Sequence, residues 1–284
     1  MPASSFLYRG YDLGIRSEIM LSRAMPSACG ADLPMDLEIR RGVAAVTGPT
    51  VTRGFFTRGS GGLLAQAGAV RCLCEAGQRI IVDAPADTPD ADVERAITAL
   101  ALPGIMWMRG DLVLHASAMI LPGRQDAIIV LGKSGDGKST MAHLLLERGA
   151  RILADDNVRL FRRNGEMWVS GMAGLLSPRI AGASPDADRA MVRVPAERQA
   201  ASARLGAVYL LSRGSSEQVD RLSPTDALGA LLANRYQPRA QHVLGRTQSL
   251  LPVWVDIAAR TATYRWARPH GRLPLDEHEW AALQ

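Results

Sequence analysis

The residues best suited to chemistry lie in a glycine-rich stretch that follows a short apolar run, residues 128–131. Gly132, Gly137, Lys138 and Ser139 fit the pattern G-x-x-x-x-G-K-[ST], which is typical of loops that hold the phosphates of a nucleotide. Glycines let backbone N–H groups approach phosphate oxygens, the lysine reaches the β- and γ-phosphates, and the serine hydroxyl is a magnesium ligand. We therefore predict a site for ATP and Mg²⁺ whose nucleotide-binding residues are Gly132, Lys133, Ser134, Gly135, Asp136, Gly137, Lys138, Ser139 and Thr140.

The surroundings of this stretch favour the same interpretation. The apolar run predicts a strand buried on both faces, and residues 139–148 predict a helix with Met141, Leu144 and Leu145 on its apolar side and Gly149 as its stop. The only two lysines of the chain, Lys133 and Lys138, both lie here. The alternative is a strand-to-helix turn that binds nothing.

Two adjacent carboxylates follow the predicted helix. A ten-residue helix descends about 15 Å, and a strand from residue 150 to Asp155 regains about 17 Å, so Asp155 and Asp156 return to the level of the loop. We predict that Asp155, with Ser139, handles magnesium and that one acid of the pair serves as a catalytic base. Because neighbouring side chains of a regular strand face opposite sides, we expect the strand to end at the pair. The alternative is a solvated acidic pair in a loop.

In this order, His115-Ala-Ser, the loop at residues 132–140 and Ala154-Asp155-Asp156 resemble the HPr kinase/phosphorylase family. The resemblance implies an α/β fold with a P-loop core of the HPr kinase and phosphoenolpyruvate carboxykinase type. It implies that Asp156 accepts the proton of the acceptor hydroxyl, and that His115 and Lys138 act at the same catalytic site. The opening segment, residues 8–18, is similar to small kinases of lasso-peptide clusters, which phosphorylate the C-terminal serine of a precursor peptide.

The chain departs from the family pattern at two points. Thr140 follows Ser139 where the bifunctional enzymes usually have Glu, and residues 168–180 contain no clear match to their Glu-bearing signature. We therefore expect a kinase without efficient phosphate-driven dephosphorylation. We also expect that Ser139 and Asp155 do not supply all the ligands of the metal.

Composition sets limits on partners and location. The net charge is +5 and the pI is near 9.5, but the arginines look scattered along the sequence, so we expect no nucleic-acid partner. No run of 18 apolar residues exists, so we expect no membrane span. Cys29, Cys72 and Cys74 form neither an even disulfide framework nor a zinc spacing, and a cytoplasmic location is expected. Self-association as a homo-oligomer is an expectation from the resemblance alone.

Periodicity and turn signals predict two domains: an N-terminal β-rich module ending in a helix, residues 1–104, and a P-loop kinase domain, residues 105–284. The predicted strands are residues 6–19, 33–39, 51–57, 69–74, 79–82, 158–161, 205–211, 219–222 and 261–266. Besides the helix after the glycine-rich stretch, four helices are predicted. They are residues 92–102, which end at Pro103-Gly104, a helix that begins at Pro224, residues 239–250, and residues 252–260. Residues 177–194 predict a long loop. One interpretation is a substrate lid in which Arg179, Arg189 or Arg193 touches phosphate, but for any one of these arginines the sequence favours a solvated, charged loop.

The sequence favours an ATP-dependent kinase acting on a serine hydroxyl of a peptide or small protein, such as the C-terminal serine of a lasso-peptide precursor. Two alternatives stay open: a kinase of a free small metabolite, and a regulator that binds ATP without transferring its phosphate.

Overall fold

The computed structural model describes residues 5–22, 24–26, 34–178 and 190–269, which form a mixed α/β protein with several sheets. They fall into two compact units: the first contains the described residues up to 113 together with 236–251, and the second contains the described residues of 114–235 together with 252–269. The domain division predicted at residue 104 stays a prediction. No helix among the described residues is both long and apolar enough to cross a bilayer.

The first unit is built on a sheet of nine strands. They are β1 (Phe6–Gly10), β2 (Leu13–Ser17), β3 (Met25–Pro26), β4 (Met35–Arg41), β5 (Thr47–Arg53), β6 (Phe56–Ser60), β7 (Gly62–Ala67), β8 (Val70–Glu75) and β9 (Arg79–Asp83). Their order across the sheet is β3-β1-β2-β4-β9-β8-β7-β6-β5, with β4 parallel to both of its neighbours. Cys72 and Cys74 are free thiols buried on β8.

Two of the predicted strands are hairpins instead. Tyr11 and Asp12 adopt positive φ of 55° and 58° and reverse the chain between β1 and β2, so residues 6–19 form two strands. Gly54 adopts φ 58° and turns β5 into β6 within the predicted strand 51–57. Positive φ at two adjacent non-glycine residues is uncommon. The apolar alternation also continues across this turn, so the sequence pattern did not indicate that the chain reverses between β1 and β2.

The predicted helix end at Pro103-Gly104 is wrong. A helical run continues through α1 (Asp90–Ala96), a π-helical turn (Ile97–Ala101) and α2 (Leu102–Arg109), so residues 105–108 are also helical. The π turn ends two residues before Pro103 and locally changes the span of the helical hydrogen bonds, which suits a nearby residue without an N–H. Gly104 lies where a Cβ atom would stand 3.0 Å from Cδ2 of Leu63, so the glycine permits close packing on β7. The run ends at Gly110, which adopts φ 85°.

The second unit is built on a sheet of seven strands. They are β10 (Leu112–Ile120), β11 (Ala127–Leu131), β12 (Arg151–Arg163), β13 (Glu166–Ser170), β16 (Ser202–Arg213), β17 (Gln218–Arg221) and β18 (Ala262–Arg268), and a separate pair is formed by β14 (Leu175–Leu176) and β15 (Val192–Arg193). The order is β11-β10-β12-β13-β16-β18-β17, and β11 also pairs in parallel with β16. All residues of β11 are buried, as predicted.

The α-helices among the described residues after 130 are α3 (Lys138–Glu147), α4 (Pro224–Ala233), α5 (Pro238–Val243) and α6 (Leu251–Arg260). The predictions for α3, α4 and α6 are confirmed, and Ser223 caps α4 by accepting a hydrogen bond from the N–H of Asp226. The prediction of one helix over residues 239–250 is wrong, because α5 ends at Val243 and Gly245 adopts φ 69°.

The prediction that a strand ends at Asp156 is also wrong. Strand β12 continues to Arg163 and pairs with β13 across the turn at Asn164 and Gly165. Asp156 adopts φ 84°, which interrupts the regular alternation of side chains without ending the strand. Most of the predicted loop 177–194, with Arg179 and Arg189, lies outside the described residues, whereas Arg193 is exposed on β15.

Candidate active site

A glycine-rich loop connects β11 to α3 in the second unit. We call residues 132–137 the glycine loop. Gly135 and Gly137 adopt φ of 95° and 98°, a region that other residues rarely enter, and Gly137 is the last residue before the helix. The loop therefore ends at the N-terminus of α3. The backbone N–H groups there lack intrahelical partners, and the helix dipole favours the binding of an anion.

Asp136 stabilises the turn of the glycine loop from within. Its Oδ2 accepts a 2.7 Å hydrogen bond from the N–H of Lys133, and its own N–H donates to the carbonyl of Lys133 at 3.1 Å. Lys133, Ser134 and Gly135 are exposed at the tip of the loop. Asp136 thus shapes the loop, and its carboxylate is engaged with the backbone.

Lys138 is buried although it carries a charge. Its Nζ donates to the carbonyl of Gly132 at 2.8 Å and to that of Lys133 at 3.1 Å, so the ammonium group lies under the loop. A buried ammonium needs such acceptors, since desolvation without them would be costly. These hydrogen bonds hold the ammonium group of Lys138 at a position where it could contact a phosphate bound to the glycine loop.

Asp155 is a buried carboxylate that accepts hydrogen bonds from three separate segments. Its Oδ1 accepts from the hydroxyl of Ser117 at 2.6 Å and from the hydroxyl of Ser139 at 2.9 Å. Its Oδ2 accepts from the N–H of Ser177 at 3.0 Å. These donors compensate the buried negative charge and bring it into contact with the first turn of α3.

Asp156 and His115 form a second contact beside the first. The Nδ1 of His115 lies 3.0 Å from the carbonyl oxygen of Asp156 and 3.3 Å from its Oδ1. A carbonyl only accepts hydrogen bonds, so Nδ1 carries a proton in this arrangement. The side chain of Asp156 is 39% exposed, in contrast with that of Asp155.

The two contacts share a geometric origin. His115 and Ser117 lie two residues apart on β10 and so share one face of the strand. The positive φ of Asp156 allows both neighbouring carboxyl groups to meet residues of that face. A non-glycine residue held at such a φ costs about 1–3 kcal/mol, and such strain clusters at functional sites.

One pocket gathers most of the predicted residues. It encloses about 40 Å³ and is lined by His115, Ser134, Gly135, Gly137, Lys138, Ser139, Thr140, Asp156 and Ser177. Gly132, Lys133, Asp136 and Asp155 do not line the pocket, but each contacts the loop or a residue that does.

Sequence reasoning assigned no role to three residues of the site. Ser117 contacts Asp155, and its spacing from His115 was the signal that could have identified it. The side-chain oxygen of Asn234 accepts from the N–H of Gly132 at 3.3 Å, and its backbone carbonyl accepts from the N–H of His115 at 2.7 Å. Ser177 lines the pocket beside Asp155. Asn234 follows α4, about a hundred residues from the loop, so no local pattern indicated its position.

Comparisons with known proteins give a distant similarity. No protein-family model and no curated protein matches the chain. Among solved structures, the chain is similar to the Hpr(Ser) kinase/phosphatase from Coxiella burnetii, with 14% identity and a TM-score of 0.33 over 55% of this chain and 85% of that chain. A similarity of this size establishes neither a shared activity nor a shared substrate.

Proposed function

We propose that the protein is an ATP-dependent kinase that transfers the γ-phosphoryl group to a serine hydroxyl on a peptide or small protein. The observation that carries the proposal is the 2.9 Å hydrogen bond between the hydroxyl of Ser139 and the carboxylate of Asp155. In phosphate-loop enzymes, a hydroxyl after the loop lysine and a carboxylate at a strand together hold the metal of the nucleotide. Here both groups lie beside a buried lysine and a helix N-terminus.

The loop would hold the phosphates of ATP. Lys138 already points its ammonium group at loop carbonyls, and phosphate oxygens would offer it charged acceptors, which form stronger hydrogen bonds than neutral carbonyls. The N–H groups at the start of α3 would add further donors. Most of the rate enhancement in such enzymes comes from positioning and charge stabilisation.

The residues present fit a magnesium ion. Ser139 and Asp155 offer hydroxyl and carboxylate oxygens, the ligands that Mg²⁺ prefers. No group of three or more His, Cys, Asp or Glu side chains in the described part of the chain could hold a metal alone. This matches an ion held by one or two protein ligands and by substrate phosphates rather than by an all-protein cage. When bound, the ion supplies charge neutralisation on the phosphates.

Asp156 would accept the proton of the attacking hydroxyl. Its carboxylate is partly exposed at the pocket, so it can reach a substrate, whereas that of Asp155 is enclosed. The hydrogen bond from His115 to the backbone of Asp156 would hold this residue in its strained conformation. The two neighbouring acids would therefore have different roles: Asp155 would bind the metal, and Asp156 would accept the proton of the acceptor hydroxyl.

We propose a serine acceptor because the glycine loop and the acid pair resemble those of the HPr kinase/phosphorylase family. The most specific acceptor that we propose is the C-terminal serine of a lasso-peptide precursor. The test is transfer from γ-labelled ATP, with Mg²⁺, to a peptide ending in serine, compared with the same peptide ending in alanine and with free serine. We expect label on the serine peptide alone. Label on free serine would support a metabolite kinase, and Mg²⁺-dependent ATP binding without transfer to any acceptor would support a regulator.

A further inference from the structure

The first unit contains a wide cleft that no part of the proposed reaction uses. It has a volume of about 720 Å³, and its lining includes Arg58, Gly61, Ala76, Met108, Gly245 and Arg246. The lining comes from the turn between β6 and β7, the turn between β8 and β9, the end of α2 and the segment after α5. A volume of this size is ordinary for a ligand-binding cleft.

The cleft carries positive charge and no negative charge. Arg246 donates through Nη2 to the carbonyl of Met108 at 3.2 Å, which fixes its guanidinium in the wall. The guanidinium of Arg58 lies beside Gly245, with Nη1 3.9 Å from where a Cβ atom of that glycine would stand. No ion pair among the described residues includes either arginine, and no lining residue is acidic.

Two of the four segments that line the cleft contain no carboxylate over long stretches, because residues 42–74 and 227–255 contain no Asp and no Glu. Glu75 precedes the lining residue Ala76, but its carboxylate pairs with Arg79 at 3.4 Å.

A second cleft of the same unit provides a contrast. It encloses about 400 Å³, and its Arg79 pairs with Glu38 at 2.9 Å and with Glu75 at 3.4 Å. Its lining has three arginines, Arg16, Arg79 and Arg109, and an equal number of acidic residues, Asp36, Glu38 and Glu75. The cleft at Arg58 and Arg246 leaves guanidinium groups available for a ligand, and guanidinium groups form paired hydrogen bonds with carboxylates.

We propose that the cleft at Arg58 and Arg246 binds an acidic segment of the peptide substrate, away from the serine that receives the phosphate; this rests on the proposed function. The exposed glycine backbone suits a close approach by a peptide, and nothing lies within 4 Å of where a Cβ atom of Gly61 would stand. Nucleic acid fits less well, because no aromatic side chain lines the cleft on which a base could stack.

The test measures binding of a labelled peptide to the full-length protein by fluorescence anisotropy, without ATP. A peptide with a run of Asp and Glu is compared with the same peptide carrying Asn and Gln. We expect the acidic peptide to bind at least about tenfold more tightly, since hydrogen bonds to charged groups are the strong ones. The variant with both Arg58→Gln and Arg246→Gln should lose about tenfold or more of that affinity, and the variant with both arginines changed to lysine should keep part of it.

The variant with both Arg40→Gln and Arg41→Gln is the matched control, because it removes the same two charges from exposed positions on β4 of the same unit, outside the cleft. It should leave peptide affinity unchanged. Equal binding of the acidic and neutral peptides, or unchanged binding by the double glutamine variant, would overturn the proposal. So would displacement of the acidic peptide by a single-stranded oligonucleotide at lower concentration than by unlabelled peptide.

The kinase assay separates the two proposals. If the double glutamine variant raises KM for an acidic serine peptide with little change in kcat, both proposals stand. Transfer with an unchanged KM overturns the cleft proposal and leaves the kinase. Arginine-dependent binding of the acidic peptide without transfer supports the cleft and overturns the kinase.

Discussion

The hydroxyl of Ser117 donates a 2.6 Å hydrogen bond to Oδ1 of Asp155, the same oxygen that accepts from Ser139. A single carboxylate oxygen thus links β10 to the first turn of α3. Because Asp155 is buried, its position is determined by these donors and by the N–H of Ser177. Ser117 is a positioning residue for the group that we assign to the metal.

Ser117→Ala removes one of three donors to a buried carboxylate. Loss of a residue that orients a metal ligand typically costs about 10- to 100-fold in metal affinity or activity. We expect the Mg²⁺ concentration for half-maximal transfer to rise by about tenfold or more, while affinity for the peptide is unchanged. Ser117→Thr retains the hydroxyl and is the matched control. An unchanged magnesium requirement in Ser117→Ala would remove this role.

Lys138→Ala should abolish phosphoryl transfer. The structure adds a second effect, because Nζ also donates to the carbonyls of Gly132 and Lys133. Losing hydrogen bonds from a charged donor costs about 1.5–3 kcal/mol each, so the melting temperature should also fall by several degrees. Lys133→Ala changes the only other lysine, which is exposed, and should reduce transfer much less. Near-normal turnover of Lys138→Ala with ATP and Mg²⁺ would contradict the assignment.

The cysteines provide a test of the core that is independent of function. Burial raises the pKa of Cys72 to about 12 and raises that of Cys74 well above its ordinary value. At pH 8 only about one Cys72 in 10⁴ is a thiolate, the reactive form. We expect mass spectrometry to find neither Cys72 nor Cys74 alkylated by iodoacetamide in the native protein, and both alkylated in urea. Modification of either thiol under native conditions would show that β8 is not in the core.

The sequence anticipated the parts of the site that depend on local pattern. Strand β11, the glycine loop and α3 follow from an apolar run, glycines at defined spacing and a helical period. The return of the acids to the loop followed from the lengths of a helix and a strand. These features are short-range, so one segment contains all the information needed.

What the sequence did not anticipate depends on contacts between distant segments. Asp156 adopts its strained φ inside β12, where the sequence pattern predicted the end of a strand. The side chain of Asn234, which follows α4, accepts a hydrogen bond from the N–H of Gly132. In the first unit, Pro103 and Gly104 look like a helix stop, yet close packing on Leu63 favours glycine inside the helix. Tertiary packing outweighed local propensity in each case.

The division of work between Asp155 and Asp156 is the most specific prediction for the site. Asp156→Asn keeps the shape of the side chain and removes its basicity, so transfer should slow by about 10² or more while ATP affinity changes little. Asp155→Asn is different, because both of its oxygens accept hydrogen bonds and an amide nitrogen would face a donor. We expect this variant to need more Mg²⁺ and to melt at a lower temperature.

A magnesium titration at fixed ATP, with thermal unfolding of each variant, separates the two roles. High Mg²⁺ should recover part of the activity of Asp155→Asn, because mass action offsets a weakened metal ligand. It should recover none of the activity of Asp156→Asn, because no concentration of metal replaces a proton acceptor. If high Mg²⁺ rescues Asp156→Asn and leaves Asp155→Asn inactive but fully folded, then the exposed acid is the metal ligand and the buried acid is the base.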